Sequence, residues 1–134
     1  MILFLFGFSH LTTYPIGSIL VAFAVLFLWA VLHMVIHEIG HILAAWMVGS
    51  RIKQVGIGIL GPFVRRTPAK TPGRNAFVAL AGPGTNILTW LVFVICGWPH
   101  AWVALYIGVL NLLPLPHSDF LKSVEYLRSE RRAS

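Results

Sequence analysis

The 134-residue chain is 57% hydrophobic and 10% charged, and its mean hydropathy of +0.82 lies well above what a soluble domain of this length carries. That composition indicates a membrane protein and argues against a water-soluble globule. The net charge of +6 suits contact with anionic lipid headgroups, and nothing in its pattern points to nucleic acid as a partner.

The opening residues, "MILFLFGFSH", lack the basic n-region of a cleaved signal peptide, so the N-terminus is expected to be mature. An apolar run from about Ile16 to Val48 follows, free of Lys and Arg and with Glu38 as its one acid. It exceeds the roughly 20 residues a helix needs to cross a bilayer and predicts one long, tilted span. An ionised carboxylate at the centre of such a helix costs about 2.5 to 3.5 kcal/mol on insertion scales, so Glu38 needs a compensating partner.

The next stretch, "RIKQVGIGILGPFVRR", changes character. Ile52, Val55, Ile57 and Ile59 are β-branched, Gly61-Pro62 breaks the run, and Phe63 and Val64 resume it. This predicts a short β-hairpin in the first loop, at the membrane edge, with an irregular amphipathic loop as the alternative.

Two more apolar segments, Asn75 to Gly97 and Ala101 to Pro114, are separated only by Trp98, Pro99 and His100, and predict a tight helical hairpin. The second is short for a crossing, so the chain is expected to continue past Pro114 in irregular form. Irregular backbone at membrane depth is tolerated only where it is buried in protein or lines a cavity, which makes "NLLPLPHSDF" a candidate site. The single Cys96 excludes an intramolecular disulfide.

All ten basic residues lie in the first loop (Arg51, Lys53, Arg65, Arg66, Lys70, Arg74) or the tail (Lys122, Arg128, Arg131, Arg132). By the positive-inside rule both face the cytoplasm, and three spans then put the N-terminus outside. Without repeats or low-complexity linkers, residues 1–134 read as one domain: an α-helical, multi-pass membrane protein of about three transmembrane helices with a β-hairpin in the first cytoplasmic loop.

His37-Glu38-Ile39-Gly40-His41 has the form HExxH. On a helix, histidines four apart project from one face and can hold a single zinc ion, while Glu38 stands beside it to polarise a bound water. Zinc is then the partner Glu38 needs. His33 continues the spacing, but it lies about 12 Å along the axis from His41 and cannot share a tetrahedral ion with it; a hydrogen bond to a ligand, or plain packing, is its expected role. A catalytic zinc needs a third protein ligand and an open position. The histidines lie toward the cytoplasmic end of the first span, and two crossings later the chain returns to that side at His117 and Asp119. His10 and His100 fall on the opposite side, and Glu125 and Glu130 sit among basic residues in an amphipathic, solvated tail. Asp119 is the preferred third ligand, with His117 the alternative.

"HEIGH", "AGPGTN" at Ala81 to Asn86 and "NLLPLPHSD" at Asn111 to Asp119, in that order across most of the chain, resemble the motif set of the site-2 protease family of intramembrane zinc metalloproteases. The resemblance implies zinc held by His37, His41 and Asp119, Glu38 as general base, a transmembrane protein as substrate, and Asn86 and Asn111 near the active site. There an amide could donate to a developing oxyanion or form an interhelical hydrogen bond. Gly82, Pro83 and Gly84 would allow close helix approach and a kink. An edge strand from "RIKQVGIGIL" could hold an unwound substrate by strand addition. Phe120 and Ser118 depart from the family, which usually has glycine after the aspartate and often an apolar residue before it. The turn at Asp119 is therefore expected to be shaped differently, with Ser118 or Asp119 opening a helix. Two other classes fit part of the pattern. A metal carrier has no need of Glu38, and three short spans leave little room for alternating access. A catalytically silent scaffold that binds transmembrane segments is the stronger alternative.

Overall fold

The structure, a computed structural model, describes residues 16–58, 61–116 and 118–133, with side chains through residue 129. The elements are α1 (Ile16–Met47), β1 (Ile52–Gly58), β2 (Gly61–Arg66), α2 (Pro72–Ile95), α3 (Ala101–Leu112) and α4 (Asp119–Ala133). The chain is mostly helical with one antiparallel two-stranded hairpin, as the apolar periodicity and the β-branched run require.

Helix α1, 32 residues, extends about 48 Å, and α2, 24 residues, about 36 Å, so both are long and apolar enough to cross a hydrocarbon core of about 30 Å. Only 6% of the most apolar window of α1 and 28% of that of α2 is buried within the protein. Phe23, Phe27, Leu28 and Trp46 all face outward. The third segment differs from expectation. Helix α3 has 12 residues, about 18 Å, too short to cross alone, so among the described residues two helices rather than three meet the length criterion. Irregular backbone does follow it, from Leu113 to Ser118 among the described residues.

Local chemistry sets the ends of these elements. Gly49 takes φ +76, and the Gly49 and Ser50 amides donate to the Trp46 and Ala45 carbonyls, a Schellman ending for α1. Thr71 Oγ1 accepts from the Arg74 amide with Pro72 in the first turn, which starts α2. Ser118 Oγ accepts from the Leu121 amide at 3.3 Å, so α4 begins directly at Asp119. Ser118 caps the helix that Asp119 opens, as expected at those positions.

Helix α2 is central and packs against α1, α3 and α4. Its approach to α1 relies on small residues. Ala44 and Ala45 are buried against Val78 and Ala81, and a Cβ at the buried Gly40 would collide with Thr85 Oγ1 and stand 2.8 Å from the Ala81 carbonyl. The hairpin pairs Val55 with Val64 and Ile57 with Pro62, and a bulge at Lys53 interrupts the register. It lies back along α1, because Gly61 at its turn touches the Met34 side chain, 13 residues or about 20 Å before the helix end at Met47. β2 therefore runs beside the HExxH segment.

Candidate metal centre

Residues 82 positions apart meet at one point. His37 Nε2 lies 2.9 Å and His41 Nε2 3.2 Å from Asp119 Oδ2, and the two ring nitrogens are 3.1 Å apart. His37 is buried, His41 half-buried and Asp119 buried. The helix supplies the histidine pair through its four-residue spacing, while the Ser118 cap fixes the first turn of α4 and with it the Asp119 side chain.

The other ring nitrogens establish what the triangle presents. His41 Nδ1–H donates to the Val78 carbonyl at 2.7 Å, which leaves Nε2 as a bare lone pair. His37 Nδ1 faces the Asn86 amide at 3.2 Å, with the Asn86 oxygen otherwise unpartnered. Turning that amide so that Oδ1 accepts from Nδ1–H gives His37 the same tautomer and satisfies the orphaned oxygen. Three lone-pair atoms then converge, an arrangement that is repulsive without a cation or protons among them. Three ligands around a tetrahedral ion at about 2.0 to 2.2 Å stand roughly 3.3 Å apart, close to the observed edges, so the donor set fits a small divalent ion. By ligand type and distance His37, Glu38 and His41 form a group that could hold a metal, their ligand atoms all lying within 4.8 Å of one another.

Gly82 closes one side. A Cβ there would stand 2.5 Å from His41 Nε2 and 2.6 Å from His37 Nε2, so only glycine leaves the space between the rings open. A Cβ at Gly84 would meet nothing beyond its own turn of helix within 4 Å. On another side a cavity of about 400 Å³ reaches Glu38, His41 and Asp119 and is walled by Phe63, Arg66 and Tyr126. Its strand residues come from β2 and none from β1, so the strand beside the site is not the one expected from "RIKQVGIGIL".

With protons rather than an ion among these atoms, burial would push the Asp119 carboxyl up, while His37 and His41 donating from Nε2 and the Lys122 ammonium hold it well below the usual carboxylate range. Lys122 Nζ donates to Asp119 Oδ1 at 2.8 Å, which leaves Oδ2 to the histidines. This lysine escaped the sequence reading. Its signal was the three-residue spacing from Asp119, readable once Ser118 is taken as a helix cap.

The remaining candidates separate. Asn86 is fully buried against His37, a place that suits orienting the ring rather than touching substrate. Asn111 donates to the Ile107 carbonyl of its own helix at 3.1 Å, a bond within the helix and not between helices. His33 stacks on Trp29 and meets the edge of Phe93, fully buried with both ring nitrogens unpartnered; it packs and bonds no ligand. His100 lies near Trp29, away from the cluster, and Glu125 is exposed on α4. His10, His117 and the side chain of Glu130 lie outside the described residues.

Comparison with known proteins finds no matching family model, no matching curated protein and no matching solved structure.

Proposed function

We propose that the chain is a zinc-dependent intramembrane endopeptidase that hydrolyses peptide bonds of transmembrane substrates. The observation that carries this reading is the convergence of His37 Nε2, His41 Nε2 and Asp119 Oδ2 within 3.2 Å of one another, with Glu38 beside the first histidine and facing the same cavity. The resemblance to site-2 proteases agrees with it, motif by motif. In the same reading the protein is integral to the membrane, with the hairpin and C-terminus on the cytoplasmic side among anionic headgroups.

His37, His41 and Asp119 would hold the ion, oriented by Asn86, the Val78 carbonyl and Lys122 respectively. When bound there, zinc supplies a Lewis acid that lowers the pKa of its water toward 7 and polarises a carbonyl. Glu38 takes the proton of the attacking water and returns it to the leaving amine. The edge of β2 away from β1, unpaired with any strand among the described residues, offers backbone groups to a locally unwound substrate segment along the cavity, with Pro62 unable to donate.

Co-expression with a panel of single-span membrane proteins tests the reading. New fragments are expected with the wild type and not with His41→Ala. A panel left uncut by protein that carries zinc would favour the silent scaffold instead.

A further inference from the structure

We propose that Arg66 forms a carboxylate-binding subsite in the cavity beside the His37, His41 and Asp119 cluster, so that the bound polypeptide presents a carboxylate close to the bond offered to Glu38. The proposal deepens the peptidase reading and rests on it.

Two arginines end β2, and the strand treats them differently. Side chains alternate along a strand, so Phe63 and Arg65 share one face and Val64 and Arg66 the other. The Arg65 guanidinium lies over the Phe63 ring at 5.5 Å and is exposed, whereas Arg66 is half-buried and lines the cavity together with Phe63 and Val64. The bulge at Lys53, opposite this end of β2, is the kind of irregularity that re-aims a side chain beside a site.

Arg66 is also held in place. Its Nη1 donates to Asn75 Oδ1 at 2.8 Å and to the Thr67 carbonyl at 3.2 Å. Asn75 is buried, and its remaining bonds all go to the 69–71 backbone: Oδ1 accepts from the Ala69 amide, and Nδ2 donates to the Ala69 and Thr71 carbonyls. That anchor fixes one nitrogen and leaves the others of the guanidinium fork available for a planar two-oxygen partner.

Every acceptor that Arg66 meets is neutral. Among the described residues all ion pairs converge on Asp119, including that of the other cavity cation, Lys122, so Arg66 has no acidic partner. In the peptidase reading the cavity's two carboxylates, Glu38 and Asp119, serve the metal chemistry. A half-buried, unneutralised and pre-positioned guanidinium selects a carboxylate, from an Asp or Glu side chain or from a chain terminus.

The test uses full-length Glu38→Gln protein loaded with zinc, which is expected to bind without cutting. Peptides of one apolar extended sequence carry a single Asp moved through successive positions, or Asn in its place, all amidated at the C-terminus; one uncharged peptide keeps its free terminus. At one register the Asp peptide is expected to bind about tenfold or more tightly than its Asn counterpart, and adding Arg66→Gln should abolish that gap while changing Asn-peptide affinity less than about twofold. A gap confined to the free-terminus peptide, and lost with Arg66→Gln, supports the same subsite with a chain end as its ligand. Arg66→Lys keeps the charge without the fork and should retain part of the gap; unchanged zinc content in each variant shows that the fold holds. No preference for any carboxylate, no peptide binding at all, or a preference that survives Arg66→Gln would overturn the proposal. Because the readout is affinity, it is separate from the peptidase reading, which fails instead if zinc-loaded wild type binds these peptides and cuts none.

Discussion

A methyl group at position 82 would stand 2.5 Å from His41 Nε2 and 2.6 Å from His37 Nε2, about 1 Å short of the roughly 3.5 Å at which non-bonded heavy atoms settle. The rings cannot simply give way, since His41 is tied to the Val78 carbonyl and His37 to Asn86. Metal ligands tolerate shifts of about 0.2 Å, so Gly82→Ala displaces them by several times that margin. Zinc affinity is expected to fall by at least about 10- to 100-fold, the scale seen when ligand orientation is lost. An alanine before Pro83 also strains the helix, so stability should fall alongside. The assay is zinc retention against a graded series of chelators, normalised to the folded fraction from thermal unfolding. Gly84→Ala, whose added methyl would meet nothing beyond its own turn of helix within 4 Å, is the control and should hold zinc like the wild type. Folded Gly82→Ala protein with wild-type zinc affinity would refute the placement of the metal between these rings.

Asp119→Ala should remove most bound zinc, measured by metal analysis of purified protein, because it deletes the ligand that closes the triangle. His33→Leu should keep zinc and unfold no more readily than wild type, since it removes two buried, unpartnered nitrogens whose burial costs about 1 to 3 kcal/mol; lost zinc would show that His33 reaches the metal after all. Reporters near Lys70 and after Ser134 should both read cytoplasmic and one at Pro99 external; opposite sides for the first two would separate Asp119 from the histidines in the topology proposed here.

What could be read without coordinates was whatever local spacing encodes. HExxH announces itself because a four-residue step on a helix is a fixed geometry, and the hairpin follows from β-branched residues around Gly61-Pro62. Asp119 was reachable through depth, by counting segments back to the side of the histidines. Interactions that depend on how helices rotate against each other were not legible. The roles of Asn86 and the Val78 carbonyl follow from the close α1–α2 contact through Gly40, which no periodicity specifies. The folding-back of the hairpin onto Met34, which brings β2 and Arg66 to the site in place of β1, is likewise a tertiary outcome. For α3 the apolar count ran to Pro114, but the helix stops at Leu112, where the extended backbone favoured before Pro114 takes over.

The most direct measurement pairs zinc content with cleavage in Glu38→Gln and wild-type protein, reconstituted in bilayers with one substrate that the wild type cuts. In the proposed reading Asp119 rather than Glu38 completes the ligand set with the two histidines, so both proteins should hold about one zinc per chain. Loss of the general base should slow cleavage by about 10² to 10⁴. Equal zinc with equal cleavage would contradict the account.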